Sequence, residues 1–211
     1  MIASMREFTE YFDGVRRRTV GFFRTIPPDR IDWAPKDGEY TCGDIVRHVA
    51  TSESMFTGVV ADGVWRYAGH GRELGTTLDE TLAVLEARHA AASQALARAG
   101  DAALARLRPS LEPGARPIRG WRVLMAMSEH EVHHRSQLAS YLTLMGVDAP
   151  DIFGLGVEDV TRLTAEAGAA RALRAASGMR TTLWRTTSSA RESIRCSSSI
   201  TSGSAVASWR T

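Results

Sequence analysis

Four stretches of this chain repeat apolar residues every three to four positions, and no segment alternates apolar and polar groups as a half-buried strand does. That pairing constrains the fold more than any other feature, because an amphipathic helix is stabilised chiefly by burying its stripe against a partner. The first stretch, about Ser4 to Thr25, sets Phe8, Phe12, Val15 and Phe22/Phe23 on one side and stops at Ile26-Pro27-Pro28. A second begins at Thr41, whose hydroxyl can cap free amides with Asp44 three residues on, and runs to about Ala61 before Asp62-Gly63. Thr77-Leu78-Asp79-Glu80 repeats the capping pattern and opens a third helix with Leu78, Leu82, Leu85, His89, Ala92 and Leu96 on one stripe, ending at Gly100. The fourth runs from Trp121 to Met145, closed by Gly146 with Pro150 just beyond. Four such stripes satisfy one another in an all-α four-helix bundle. A shorter fifth helix is expected over about Gly154 to Ala176, an ordered loop over Asp29 to Tyr40, and irregular glycine-rich chain over 63–76.

Residues 1–170 make the expected helical-bundle domain, and 171–211 a low-complexity tail. From Ser177 onward Ser, Thr and Arg dominate and large aliphatics are few, so the expectation there is disorder. The two segments also differ in charge. The first 170 residues hold 19 Arg+Lys against 23 Asp+Glu, and the rest 7 Arg against the lone Glu192, so the basic balance of the whole chain belongs to the tail. A mildly acidic body gives no reason to expect specific nucleic-acid binding. No apolar run approaches the ~20 residues of a membrane span. The segment Met1-Ile2-Ala3-Ser4-Met5-Arg6-Glu7 lacks a secretory pattern, and Cys42 and Cys196 lie far apart with no CxxC; a cytoplasmic setting is expected. The expected partners are a small-molecule substrate and, as an assembly, a second copy in a homodimer.

The chemistry is concentrated in His130-Glu131-Val132-His133-His134 on the fourth helix. A four-residue step is about 400° of helical turn at ~100° per residue, so His130 and His134 stand one above the other. The inward stripe is expected to read Val123, Met127, His130, His134, Leu138, Tyr141 and Met145. Two stacked imidazoles within an apolar face each need a buried partner, and a shared metal ion satisfies both. The best third ligand is His48 on the second helix, beside Ile45, Ser52, Met55 and Val59. Three neutral imidazoles leave a coordination position open, and suit Zn, Ni or Fe. Gln137, one turn beyond His134, is placed to orient a ligand or a water, and His133, at the edge of the stripe, is a weaker candidate for the same task. His89 is expected in the core or at its boundary, and His70, between glycines, in a loop.

The same letters also spell HExxH, the signature of zinc proteases, in which Glu131 would be the general base and Glu158 a feasible third ligand. No strand is expected that could bind an extended peptide, which puts this reading second.

Taken together, several segments resemble the DinB/YfiT-like family of metal-dependent enzymes over roughly residues 4–160. They are Ile26-Pro27-Pro28-Asp29-Arg30-Ile31-Asp32-Trp33, Thr41-Cys42-Gly43-Asp44-Ile45-Val46-Arg47-His48, His130 through Leu138, and Tyr141 through Val147 followed by Pro150. The resemblance implies an up-down-down-up bundle and metal roles for His48, His130 and His134. It departs at Ser136, where the family often has Gly, a change between small residues. Relatives in the family include transferases and isomerases that use low-molecular-weight thiols of the mycothiol or bacillithiol type. The resemblance therefore implies a thiol-dependent S-transferase or a related hydrolase acting on small electrophiles, with a divalent metal and a low-molecular-weight thiol as cosubstrate. A metal-binding stress-response protein without turnover is the alternative of a different class, since a fold does not fix a chemistry.

Overall fold

The computed structural model of the protein describes the backbone of residues 2–195 and the side chains of residues 2–177. Its described residues divide after Gly154 into two compact units. In the first, helix α1 spans Met5–Phe23, α2 Cys42–Asp62, α3 Leu78–Ala99, a one-turn α4 Ala102–Ala105, and α5 Gly120–Leu144. Between α4 and α5 lies a two-residue antiparallel ribbon, β1 (Leu107–Arg108) against β2 (Ile118–Arg119).

Local chemistry sets the helix ends. The Thr41 hydroxyl accepts from the Asp44 amide at 3.0 Å while the Asp44 carboxylate accepts from the Thr41 amide at 2.9 Å. Thr77 and Glu80 repeat this reciprocal box at the start of α3. Gly63 closes α2 in the left-handed region at φ 86°, which costs glycine nothing. At the head of α5, Gly120 has no room for a side chain, because a Cβ there would run into the Ala103 carbonyl oxygen.

The helix directions follow from which residues share a core. One apolar cluster joins Phe22 and Phe23 from the end of α1, Ile45 to Ala50 from the start of α2, Leu78 and Leu85 from the start of α3, and Leu138 to Leu142 from the end of α5. The other joins Phe8 to Val15, Val59 and Val60, Leu96, and Val123 to Met127, the opposite ends of the same four helices. So α1 and α5 run one way and α2 and α3 the other: up, down, down, up. Parallel neighbours need a long return. At ~1.5 Å per residue the 21 residues of α2 are about 30 Å long, beyond the reach of a tight turn. Residues 63–77 make that crossover along the side of the bundle, with one 3-10 turn at Arg72–Leu74.

Between the two apolar clusters all four helices contribute polar groups, buried on α1, α2 and α5 and half-buried on α3. Arg16 of α1, 4 % exposed, donates from one Nη2 to Glu53 of α2 at 2.8 Å and to Glu131 of α5 at 2.7 Å. On α3, His89 meets Glu53 through Nδ1 at 2.7 Å and Asp13 through Nε2 at 3.2 Å. This ionic layer widens the buried arc of α5. Leu124, Ser128, Glu131, Arg135 and Leu142 are buried as well as Val123, Met127, His134, Leu138 and Tyr141. The expected stripe is therefore one flank of the true arc, and His130, half-buried, lies on its margin, as does Met145.

The second unit holds α6, Val157–Arg195. It is longer than the short fifth helix expected, and helical backbone continues past Ser177, where irregular chain was expected. The stretch 178–195 contains no proline, so nothing in the covalent chain stops the helix. The rest of the expected tail, with Cys196, lies outside the described residues. Among the described residues no helix is long and apolar enough to cross a membrane.

Candidate functional site

Helix α2 presents His48 two turns after its capping box, and α5 presents His130 and His134 one turn apart, on the side where the two helices meet. The Nε2 atoms of His48 and His130 are 3.0 Å apart, and those of His134 and His130 are 3.2 Å apart. Among the described residues these three are the group of His, Cys, Asp or Glu side chains with ligand atoms close enough to share a metal ion. A cation held by imidazole nitrogens at ~2.0–2.1 Å separates them by about 2.9 Å at right angles and about 3.4 Å at the tetrahedral angle. The observed spacings fall inside that interval, so the donor set fits a divalent ion in both chemistry and size.

Protonation favours the same use. Burial, followed by repulsion from the neighbouring imidazoles, pushes His130 down to about 3 and His48 down to about 4. Burial also lowers His134, against a hydrogen bond to Gln137 that works the other way. Near neutral pH the rings are uncharged, the form that can ligate.

The surroundings hold two of the three rings from behind. The Gln137 amide donates to the Tyr141 hydroxyl at 3.1 Å, which turns its Oε1 towards His134 Nδ1 at 2.9 Å. His134 Nδ1 therefore carries the proton and donates, leaving Nε2 bare. Behind His48, Nδ1 lies 2.6 Å from the Tyr67 hydroxyl, which also lies 2.7 Å from Nδ1 of His70. Tyr40 stacks on His134 at 6.5 Å between centroids and meets His70 at 4.6 Å, while Phe56 stands edge-on to His130 at 5.6 Å.

His48, His130 and His134 are thus brought together, and Gln137 touches a ligand candidate directly. His133 is exposed, with its ring 4.9 Å from that of His134. Glu131 is a correction. It is 2 % exposed and paired with Arg16, so it faces the ionic layer and not the imidazoles. A step of one residue turns it ~100° away from His130, and the buried guanidinium fixes it there. Burial raises its carboxyl above the usual range, against the pull of Arg16. Glu158 belongs to the second compact unit.

Sequence reasoning missed Tyr40, Tyr67 and the contact of His70. Their only signal is two chemically capable residues, Tyr67 and His70, inside a glycine-rich connection. What that signal lacks is the strap that folds the connection back. Buried Arg47 donates from Nε to the His70 carbonyl at 3.0 Å, from Nη1 to the Gly75 carbonyl at 2.8 Å, and from Nη2 to Asp44 at 2.8 Å.

An up-down-down-up helical bundle with a cluster of three neutral imidazoles across two of its helices defines a bundle protein built around a histidine site. The chain belongs to the DinB superfamily, whose family model matches residues 11–138. A DinB-like protein of Bacillus cereus is similar in structure, with a TM-score of 0.59 and 18 % identity over 72 % of this chain and 99 % of that one. Another DinB-like protein, YjoA of Bacillus subtilis, aligns with a TM-score of 0.55 and 21 % identity over 69 % and 96 % of the two chains. YfiT of Bacillus subtilis, described as a probable metal-dependent hydrolase with an unusual four-helix bundle topology, aligns with a TM-score of 0.53 and 16 % identity over 68 % and 90 %. No functionally curated protein matches the sequence significantly.

Proposed function

We propose that this protein is a metal-dependent enzyme in which His48, His130 and His134 hold a divalent ion through Nε2, and that it acts on small electrophilic molecules by transferring a low-molecular-weight thiol to them. The observation that carries the reading is the convergence of three imidazoles, with Nε2 atoms 3.0 and 3.2 Å apart. A divalent ion bound there supplies a Lewis acid that stabilises the deprotonated form of a thiol or of water. Zn, Ni and Fe all suit such a donor set.

The chain's own groups favour a thiol over water. The carboxylate of the HExxH pattern is held by Arg16 and is unable to take a proton from a nucleophile at the imidazoles. The imidazole group itself contains no carboxylate. A thiol, with an ordinary pKa of ~8.5, needs far less assistance to ionise than water does. His134 is kept in its ligating tautomer by Gln137, and the rings of Tyr40 and Phe56 shield the site from solvent on two sides. Hydrolysis is the second reading, favoured by the description of YfiT as a probable metal-dependent hydrolase.

Elemental analysis of protein purified without an affinity tag tests the metal. Wild type is expected to carry about one divalent ion per chain, and the His48→Ala/His134→Ala variant none. Equal metal in the two would end the reading. Incubation with an electrophile and low-molecular-weight thiols then separates the reactions. Metal-dependent conjugate formation supports transfer, cleavage without added thiol supports hydrolysis, and metal binding with neither supports a role without turnover.

A further inference from the structure

We infer that Tyr67, carried by the crossover between α2 and α3, is the positioning residue that fixes His48 as an Nε2 ligand. The inference rests on the metal reading above. A neutral imidazole has one N–H and one lone pair, so the ring can ligate through Nε2 only if Nδ1 carries the proton. Metal-bound histidines commonly donate that Nδ1–H to a fixed acceptor, which sets both tautomer and ring orientation. For His134 the acceptor is Gln137, on the same helix. On helix α2, Thr51 turns its hydroxyl to the carbonyls of Arg47 and His48 at 3.1 and 3.2 Å.

The acceptor comes instead from the crossover. Tyr67 Oη lies 2.6 Å from His48 Nδ1 and 2.7 Å from His70 Nδ1. A hydroxyl has one proton and two lone pairs, so it donates to at most one of the rings and can accept from either. Leaving His48 Nε2 bare requires that His48 Nδ1–H donates to Tyr67, and the Tyr67 O–H can then donate to His70 Nδ1. His70 thereby gives the tyrosine proton a destination away from His48. Arg47, itself 1 % exposed, anchors this segment through the His70 and Gly75 carbonyls, so the contact belongs to a built part of the fold. The strap begins one residue from the ligand it serves.

Removing the hydroxyl while keeping the ring isolates the effect. Wild type and Tyr67→Phe, stripped with a chelator and titrated with Zn(II) against a competing indicator, are expected to bind the same one equivalent. The variant should bind about 10- to 100-fold more weakly. Its metal-free thermal midpoint should stay within about 2 °C of wild type, since no apolar contact is lost. In the zinc-loaded wild type, NMR should show a slowly exchanging Nδ1–H on His48 that is lost in Tyr67→Phe. Equal affinities in two proteins that both bind zinc would overturn the role of Tyr67 and leave the metal site standing. No zinc bound by wild type would overturn both. Should the midpoint shift, the His48 Nδ1–H decides: rapid exchange in wild type refutes the inference.

Discussion

Replacing Arg16 by Met should be strongly destabilising, and the size of the effect can be worked from the ionic layer. One Nη2 serves two carboxylates, Glu53 at 2.8 Å and Glu131 at 2.7 Å, and all three side chains are at most 5 % exposed. Hydrogen bonds to charged groups contribute roughly 1.5–3 kcal/mol each, and removing one partner of a buried ion pair costs about 3–5 kcal/mol. Methionine fills much of the volume, so the loss is electrostatic and not a cavity effect. A loss of about 3–5 kcal/mol is expected from urea unfolding of the full chain at pH 7.5, followed by far-UV circular dichroism. Against the 5–15 kcal/mol typical of a domain, that is a large share. Adding Glu131→Gln should recover part of it, because one buried charge fewer is stranded. The deficit should also shrink on acidification: burial already raises the Glu131 carboxyl, and without the opposing pull of Arg16 the folded state binds a proton there more tightly still. A single-mutant loss below about 1 kcal/mol, or no recovery in the double mutant, would refute the picture of a desolvated, mutually dependent layer.

Three smaller predictions follow from the same packing. The hydrogen bond to Glu53 raises His89 above its ordinary range, with Asp13 adding to it, so its stabilising charge is fully present below about pH 6.5 and fades as pH rises through the folded value. The stability difference between wild type and His89→Gln, followed by urea unfolding from pH 5.5 to 9, should therefore narrow towards the alkaline end; a constant difference would contradict it. Glu131→Gln should bind zinc with wild-type stoichiometry in an equilibrium titration, whereas a zinc-protease mechanism predicts an inactive enzyme, so any metal-dependent activity that survives the change excludes Glu131 as a base. Thr41→Ala should cost about 0.5–2 kcal/mol in thermal or urea unfolding through loss of the α2 cap.

Much of this architecture can be read without coordinates, because helix stops and caps act locally. Thr41 with Asp44, Thr77 with Glu80, and Gly63 each mark a boundary that depends only on near neighbours in the chain. The histidine pair on α5 is legible for the same reason, its spacing being a property of one helix. Arg16, Glu53, Glu131 and Arg135 are not legible in this way. A charged residue reads as solvent-facing until a partner on another helix is known, and the partners here lie 37 and 115 positions away from Arg16. For that reason the periodicity of α5 points to one flank of its buried arc and not to its centre. Tyr67 and His70 escape notice for a related reason: a connection without periodicity carries no record of where it folds back.

The parallel course of α2 and α3 has a consequence for how such a protein can change. In a bundle of alternating directions every connection is a tight turn at an end, far from any side chain midway along a helix. Here the chain must travel the length of the bundle between two helices, and it does so past His48. The candidate ligand nitrogens belong to helices, while part of the wall around them belongs to a connection held at only a few points, by Trp65 against the core and by Arg47 at the His70 and Gly75 carbonyls. Insertion or exchange between the Gly63 and Thr77 caps, clear of the His70 and Gly75 carbonyls that Arg47 holds, can therefore alter what is admitted to the site while leaving the helices and their ionic layer in place.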